Sequence, residues 1–347
     1  MKALRQVLDD VLGSTSIPSL SLTVRVAEQE VFHHTAGMAR IQPPRPVVAD
    51  QAYDLASVTK VLSGTAIAAS LIAAGQLELD GSVADHLPDV DERITLRMLM
   101  NHSSGALWWR PFYDLVDGQW GTAAARKTVL DAVRAEPLVT PPGDTHRYSD
   151  TGFLLLLQVL EKVGGAPLDV LFHHHVRAPS GVADLRYGWP TAAATEHCPI
   201  RTAVLEGTVH DQNCASMGGV SSHAGLFGTS RAVAQLGEAF LEATLGNPRY
   251  DGLPGPTLRQ FWSDKGPGSH AVGWDTISPG YSSTGSHFPP DSIGHLGYTG
   301  NSLWIVPSKR SVVALLTNRV HPDDDKETIR AVRPRIHDAV AQALGWA

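Results

Sequence analysis

Ser57-Val58-Thr59-Lys60 runs directly into the long apolar stretch Val61 to Ala74, and the chain's reading turns on this junction. Residues three apart on a helix share a face, so the Ser57 hydroxyl and the Lys60 amine can touch. A hydroxyl is a weak nucleophile at neutral pH until a neighbouring base takes its proton. Lysine serves as that base only if its pKa falls by about three units, which corresponds to roughly 4 kcal/mol. A helix N-terminus disfavours a cation by only about 0.3–1 kcal/mol. Desolvation can supply the rest, up to about 3–5 units, so the pair demands a semi-buried cleft. Taken alone, the pair also suits a helix cap followed by a solvated lysine. Its weight comes from partners elsewhere in the chain.

The chain has 347 residues, 43% hydrophobic and 18% charged, with a net charge of -7. This is the composition of a globular protein of one or two packed domains. The negative balance opposes binding to phosphate backbones or anionic lipid, so neither nucleic acid nor a membrane surface is an expected partner. Leu4, Val7, Leu8, Val11 and Leu12 have helical spacing, and Asp9 and Asp10 fall where a signal peptide would be apolar. The expectation is an amphipathic first helix and a cytoplasmic location. The run from Val61 to Ala74 is too short and too polar to span a bilayer and reads as a core helix.

Leu20, Leu22, Val24 and Val26 alternate with Ser21, Thr23 and Arg25, a half-buried strand, with Val31 to Ala36 as its hairpin partner. From Ile94 to Leu245 the periodicity is helical, in 94–100, 122–135, 150–163 and 229–245. Strands return at Ser302–Val306 and Val312–Thr317 around a Pro307 turn. A terminal helix from Lys326 to Leu344 follows, with a kink or restart expected at Pro334. Strands at both ends predict an α/β (α+β) protein with an antiparallel sheet flanked by helices and built from both termini. The division expected is a sheet domain of 1–75 and 226–347 with a helical insertion, 76–225.

Two further segments carry chemistry. Tyr148-Ser149-Asp150 stands between Pro141-Pro142-Gly143 and an apolar helix. A phenol there can exchange a proton with a serine hydroxyl, and a nearby ammonium favours its ionised form. Lys60 and Tyr148 then act as a coupled pair. Asp150 also suits an N-cap. His295-Leu296-Gly297-Tyr298 precedes the strand at Ser302, and Gly297 allows close approach of another backbone. The amides of Tyr298 and Ser57 can then form an oxyanion hole.

In this order and at these separations, the three segments resemble the serine β-lactamase and penicillin-binding-protein superfamily. The nearest type is the class C β-lactamase-like group with its esterases and D-alanyl-D-alanine peptidase relatives. Tyr53 to Ala56, Gly75 to Asp80, Leu99 to Gly105, Val209 to Asp211, His223 to Phe227 and Gly300 to Pro307 look similar as well. The likeness runs from about Pro18 to Pro322. It implies Ser57 as nucleophile, Lys60 and Tyr148 as its base, and His295 to Tyr298 as the oxyanion strand. Three departures stand out. Asp150 takes an asparagine's place, Leu296 a threonine's and His295 a lysine's. In β-lactam and D-Ala peptide enzymes that lysine helps hold a substrate carboxylate, so a neutral histidine points towards uncharged esters or amides. Arg319, just past the last strand, is a candidate to supply the missing charge.

Ser149-Asp150-Thr151 also approximates the Ser-Asp-Asn element of class A enzymes, but Thr151 spoils that register and Tyr148 fits the other. No Gly-x-Ser-x-Gly elbow occurs. The expected activity is serine hydrolysis of a small ester, amide or β-lactam through an acyl-enzyme, esters first. A ligand-binding relative without turnover and an acyltransferase are the alternatives. His173-His174-His175 and His33-His34 are adjacent and diverge, and no His-Glu-x-x-His appears, so no metal or cofactor is expected. Cys198 and Cys214 read as two reduced thiols. Trp108 to Tyr113 is a candidate lining for an apolar pocket. The natural substrate and oligomeric state leave no mark on the sequence.

Overall fold

A computed structural model describes residues 1–347. The main sheet has seven strands: β1 Ser19–Val26, β2 Gln29–Arg40, β3 Arg45–Pro46, β4 Asp275–Thr276, β5 Ile293–Leu296, β6 Ser302–Val306 and β7 Ser311–Thr317. Their order across the sheet is β3-β2-β1-β7-β6-β5-β4, antiparallel throughout. The two chain ends meet at β1 and β7, where Leu20 faces Thr317 and Val26 faces Ser311. The β1–β2 turn is tight: Ala27 and Glu28 both have positive φ, the hairpin geometry that follows strand twist.

Every residue of β7 is buried, which explains its unbroken apolar sequence Val312 to Leu316. A strand covered on both faces has no reason to alternate. On one face, Leu8 and Val11 of α1 (Lys2–Ser14) and Ile336 and Val340 of the C-terminal helix Lys326–Ala343 close over Leu22, Trp304, Val313 and Leu315. On the other, Val233, Leu236 and Phe240 of the helix Ser230–Thr244 pack with Val312, Ala314 and Leu316. That second cluster of 63 residues continues into the helices of the middle of the chain. The terminal helix passes Pro334 as one unbroken helix, so no restart occurs.

The stretch after Ser57 differs in kind from the expected α-helix. Lys60–Thr65 is a π-helical turn, and α-helix begins only at Ala66–Ala73. Wide turns of this sort are single insertions that recur at functional sites. A small second sheet, Ala52–Asp54, Leu226–Thr229 and Leu185–Tyr187, leads into this turn and fixes where Ser57 emerges.

The two-faced sheet is directly testable. Ile336 is fully buried against it, so Ile336→Ala should lower unfolding free energy by about 2–5 kcal/mol in a urea titration. A loss below about 1 kcal/mol would contradict this packing.

Candidate active site

The buried strand Ala52–Asp54 delivers the chain to a constrained corner. Asp54 accepts hydrogen bonds from the amides of Ala56 (2.8 Å) and His210 (2.6 Å), and burial raises its carboxyl pKa. Ala56 sits at φ +46, a left-handed conformation that is costly for a residue with a side chain. The corner ends in Ser57, whose carbonyl accepts from the Lys60 amide at 3.0 Å. Lys60 is fully buried. Its Nζ donates to Ser57 Oγ (3.0 Å), Asp150 Oδ1 (2.6 Å) and the His223 carbonyl (3.4 Å), one acceptor for each hydrogen of an ammonium.

These contacts correct one expectation. Burial does depress the Lys60 pKa, but the adjacent Asp150 charge and Tyr148 outweigh it, and the net direction is upward. Lys60 is held as an ammonium. Asp150 is likewise not the helix cap: Ser149 caps Asp150–Gly164 by accepting from Gly152 at 2.9 Å. Asp150 stands in the first turn with its carboxylate turned to Lys60.

Tyr148 lies beside both Lys60 and Ser57, with its ring centroid 4.9 Å from Lys60 Nζ. Burial pushes its phenol above the ordinary value most strongly. The Lys60 charge and hydrogen bonds pull it back, and Asp150 adds to the rise. Its loop is pinned by residues to which the sequence reading gave no such role. Ser149 N donates to His102 Nδ1 (3.2 Å) and Arg147 N to the His102 carbonyl (2.8 Å). Asp150 N donates to the Trp108 carbonyl at 2.9 Å. His102, itself at φ +62, lies 4.4 Å from the Tyr148 ring between centroids. A histidine two residues past Met100 gives no local clue to this role.

The third segment forms the opposite wall. Ser57, Tyr148, His295, Gly297 and Tyr298 line one cavity of about 400 Å³. A Cβ on Gly297 would lie 2.7 Å from the Leu55 carbonyl, so only glycine lets this strand reach the Ser57 corner. Thr299 Oγ1 (2.8 Å) and Asn301 Nδ2 (2.7 Å) both donate to the Asp54 carbonyl and lock the two segments together. The amides of Ser57 and Tyr298 donate to no group within the chain. Burial and then the Lys60 charge hold the His295 imidazole well below its usual pKa, so it is neutral at pH 7.

Arg319 does not stand free. It pairs with Asp324 and donates to the Tyr298 carbonyl (Nε, 2.8 Å). A different guanidinium, Arg333, lies on the cavity wall and donates to the carbonyls of Gly297 (2.7 Å) and Asn301 (2.9 Å). No carboxylate pairs with Arg333, and burial brings its pKa down to about 9. Arg330 and Lys326 stand exposed at the same rim. The Trp108–Tyr113 segment does not line the cavity; Trp108 and Trp109 pack against each other as tilted rings with centroids 5.8 Å apart.

The family model described as Beta-lactamase matches residues 4–335. A putative D-alanyl-D-alanine carboxypeptidase of Escherichia coli (strain K12) is 29% identical, over 88% of this chain and 79% of that protein. Among solved structures, EstCE1, a hydrolase with promiscuous acyltransferase activity, superposes with TM-score 0.76 at 20% identity, over 98% of this chain and 97% of that one. A penicillin-binding protein homolog from Caulobacter crescentus gives 0.74 at 16% identity, covering 97% of both chains. A class C beta lactamase from Rhodobacter sphaeroides gives 0.72 at 19%, over 99% of this chain and all of that one. The antiparallel sheet flanked by helices is the fold of these neighbours. No helix is long and apolar enough to cross a membrane. With the serine–lysine pair, the tyrosine and the glycine strand gathered around one cavity, the chain belongs to the Beta-lactamase family.

Proposed function

We propose that this protein is a serine acyl hydrolase that cleaves small esters or amides through an acyl-enzyme on Ser57. The observation that carries the reading is that Ser57 and Tyr148 line one cavity, with Lys60 and Asp150 joined to Ser57 Oγ behind them and the amides of Ser57 and Tyr298 left without a partner in the chain. In the reactive form Tyr148 is a phenolate steadied by the Lys60 ammonium. Ser57 Oγ attacks the substrate carbonyl while its proton passes to the phenolate oxygen. The Ser57 and Tyr298 amides hold the oxygen that becomes negative. Tyr148 then gives its proton to the leaving oxygen or nitrogen, and the Ser57 ester remains. A water attacks that ester, Tyr148 takes the water's proton, and the proton returns to Ser57.

Asp150 sets the balance of this scheme. Its charge fixes Lys60 as a cation, yet it also opposes ionisation of Tyr148. The active phenolate is therefore the minor form at neutral pH, and the rate should climb into the alkaline range. Neutral His295 in the cavity supports esters without a carboxylate as the first substrate class. Arg333, lacking a carboxylate partner, favours a second class: substrates carrying a carboxylate, as D-amino-acid peptides do. The names of the bacterial relatives point the same way.

Kinetics on short p-nitrophenyl esters beside D-alanyl-D-alanine peptides and a chromogenic cephalosporin separate these classes. Ser57→Ala should abolish turnover of whichever substrate is used, with the far-UV spectrum unchanged. Tyr148→Phe and Lys60→Ala should each lose at least about 10²-fold in kcat. Retention of near-normal rates by Tyr148→Phe would remove it as the base. Asp150→Asn takes a negative charge from the coupled pair, so its proton leaves more easily whichever residue holds it. The acidic limb of the kcat/KM profile should then move down by at least about one pH unit, worth roughly 1.4 kcal/mol. An unmoved or upward-shifted limb contradicts the role given to Asp150.

A further inference from the structure

The amides of Ser57 and Tyr298 stand on segments remote in the chain, and two donors serve one oxygen only if their spacing holds to about 0.5 Å. One residue outside the cavity lining touches both segments. The His210 amide donates to Asp54 Oδ2 at 2.6 Å, and the other oxygen of that carboxylate holds the amide of Ala56, the residue before Ser57. The His210 ring stacks on the Tyr298 ring, with centroids 5.5 Å apart and planes 26° from parallel. Aromatic pairs at this separation fix each other's orientation. His210 is itself held firmly. Arg201 donates to the carbonyls of Val209 (2.8 Å) and His210 (2.7 Å), and Glu196 Oε2 lies 3.4 Å from His210 Nε2. Tyr298 needs such a brace, because it is 43% exposed and opens a turn closed by Gly300 N on the Gly297 carbonyl at 3.0 Å. Its phenol donates to Asp324 and its carbonyl accepts from Arg319 Nε at 2.8 Å, which ties it to the segment after β7. The His210 ring is what refers its side chain to the Ser57 corner.

We propose that His210 is a positioning residue that sets the spacing of the Ser57 and Tyr298 amides, through its own amide to Asp54 and through its ring to Tyr298. The inference rests on the acyl-hydrolase reading and extends it to a residue that meets neither the substrate nor the reacting atoms. The two amides are strained towards full use only when the carbonyl oxygen becomes negative, so a change in their spacing acts on the transition state and not on ground-state binding. Deleting one oxyanion donor costs about 10²–10³-fold in kcat. Moving a donor out of line costs part of that, and a displacement of about 1 Å is enough to matter.

The test uses the full chain with p-nitrophenyl acetate and its thionoester, in which sulfur replaces the carbonyl oxygen. Sulfur is larger and accepts hydrogen bonds poorly, so well-spaced amides favour the oxygen ester. His210→Ala removes the ring but keeps the backbone amide that holds Asp54. It should lower kcat/KM on the ester at least about tenfold and shrink the ester-to-thionoester ratio by a similar factor. His210→Phe, which keeps a ring, should return both to within about threefold of the wild type. Tyr298→Leu removes the same contact from the other side and keeps the test open if His210→Ala does not fold. It should shrink the ratio alike, and the double variant should fall no more than about twofold further. An unmoved ratio, a loss shared equally by both substrates, or fully additive losses in the double variant each overturn the proposal. Wild-type protein that turns over neither substrate removes the acyl-hydrolase reading and this inference with it. Turnover with a ratio that both single variants leave unchanged removes this inference alone.

Discussion

The contact between the fully buried Lys60 Nζ and the half-buried Asp150 Oδ1 is the constraint from which the rest of the site follows. It ties the turn that carries Ser57 to the helix that carries Tyr148 on its leading loop, across 90 residues of chain. A lone lysine in this position would be driven to its neutral form by desolvation. Asp150 and Tyr148 outweigh that burial and hold Lys60 as an ammonium. The ammonium then faces a phenol and a hydroxyl in one enclosed place, and the proton affinity of all four groups becomes a joint property.

The same contact explains why the site's chemistry could be located in the sequence but its protonation could not. Spacing alone put Ser57 and Lys60 on one helical face, and that much holds even though the turn proved π-helical. The alternating β1 and the unbroken β7 announced strands at both ends, and the sheet joins them as expected. Tyr148 and Gly297 were singled out by their likeness to the family's motifs, and both line the cavity beside Ser57. The charge of Lys60 was not. It depends on which atom of Asp150 points inward, a fact of tertiary geometry that left Ser149 to cap the helix instead.

Other site features were hidden for a related reason. Asp54, Thr299 and Asn301 fix the Ser57 corner through backbone carbonyls and amides, and no residue pattern advertises a bond to a carbonyl. His102, His270 and His295 converge from segments far apart. Adjacent histidines such as His173 to His175 draw the eye, but neighbours on a helix diverge while distant loops can meet. Arg333 was masked by its helical setting, where an arginine normally faces solvent. Here it turns under the Gly297 strand and gives the cavity a positive charge that neutral His295 does not.

The proposed acyl hydrolysis depends on Ser57 being made nucleophilic by Lys60 and Tyr148. The most direct measurement is intact-protein mass after exposure to a fluorophosphonate at several pH values, with the modified residue located by peptide mapping. The account predicts a single adduct, on Ser57, forming faster as pH rises towards ionisation of Tyr148. No adduct at any pH, or an adduct on another serine, would contradict it.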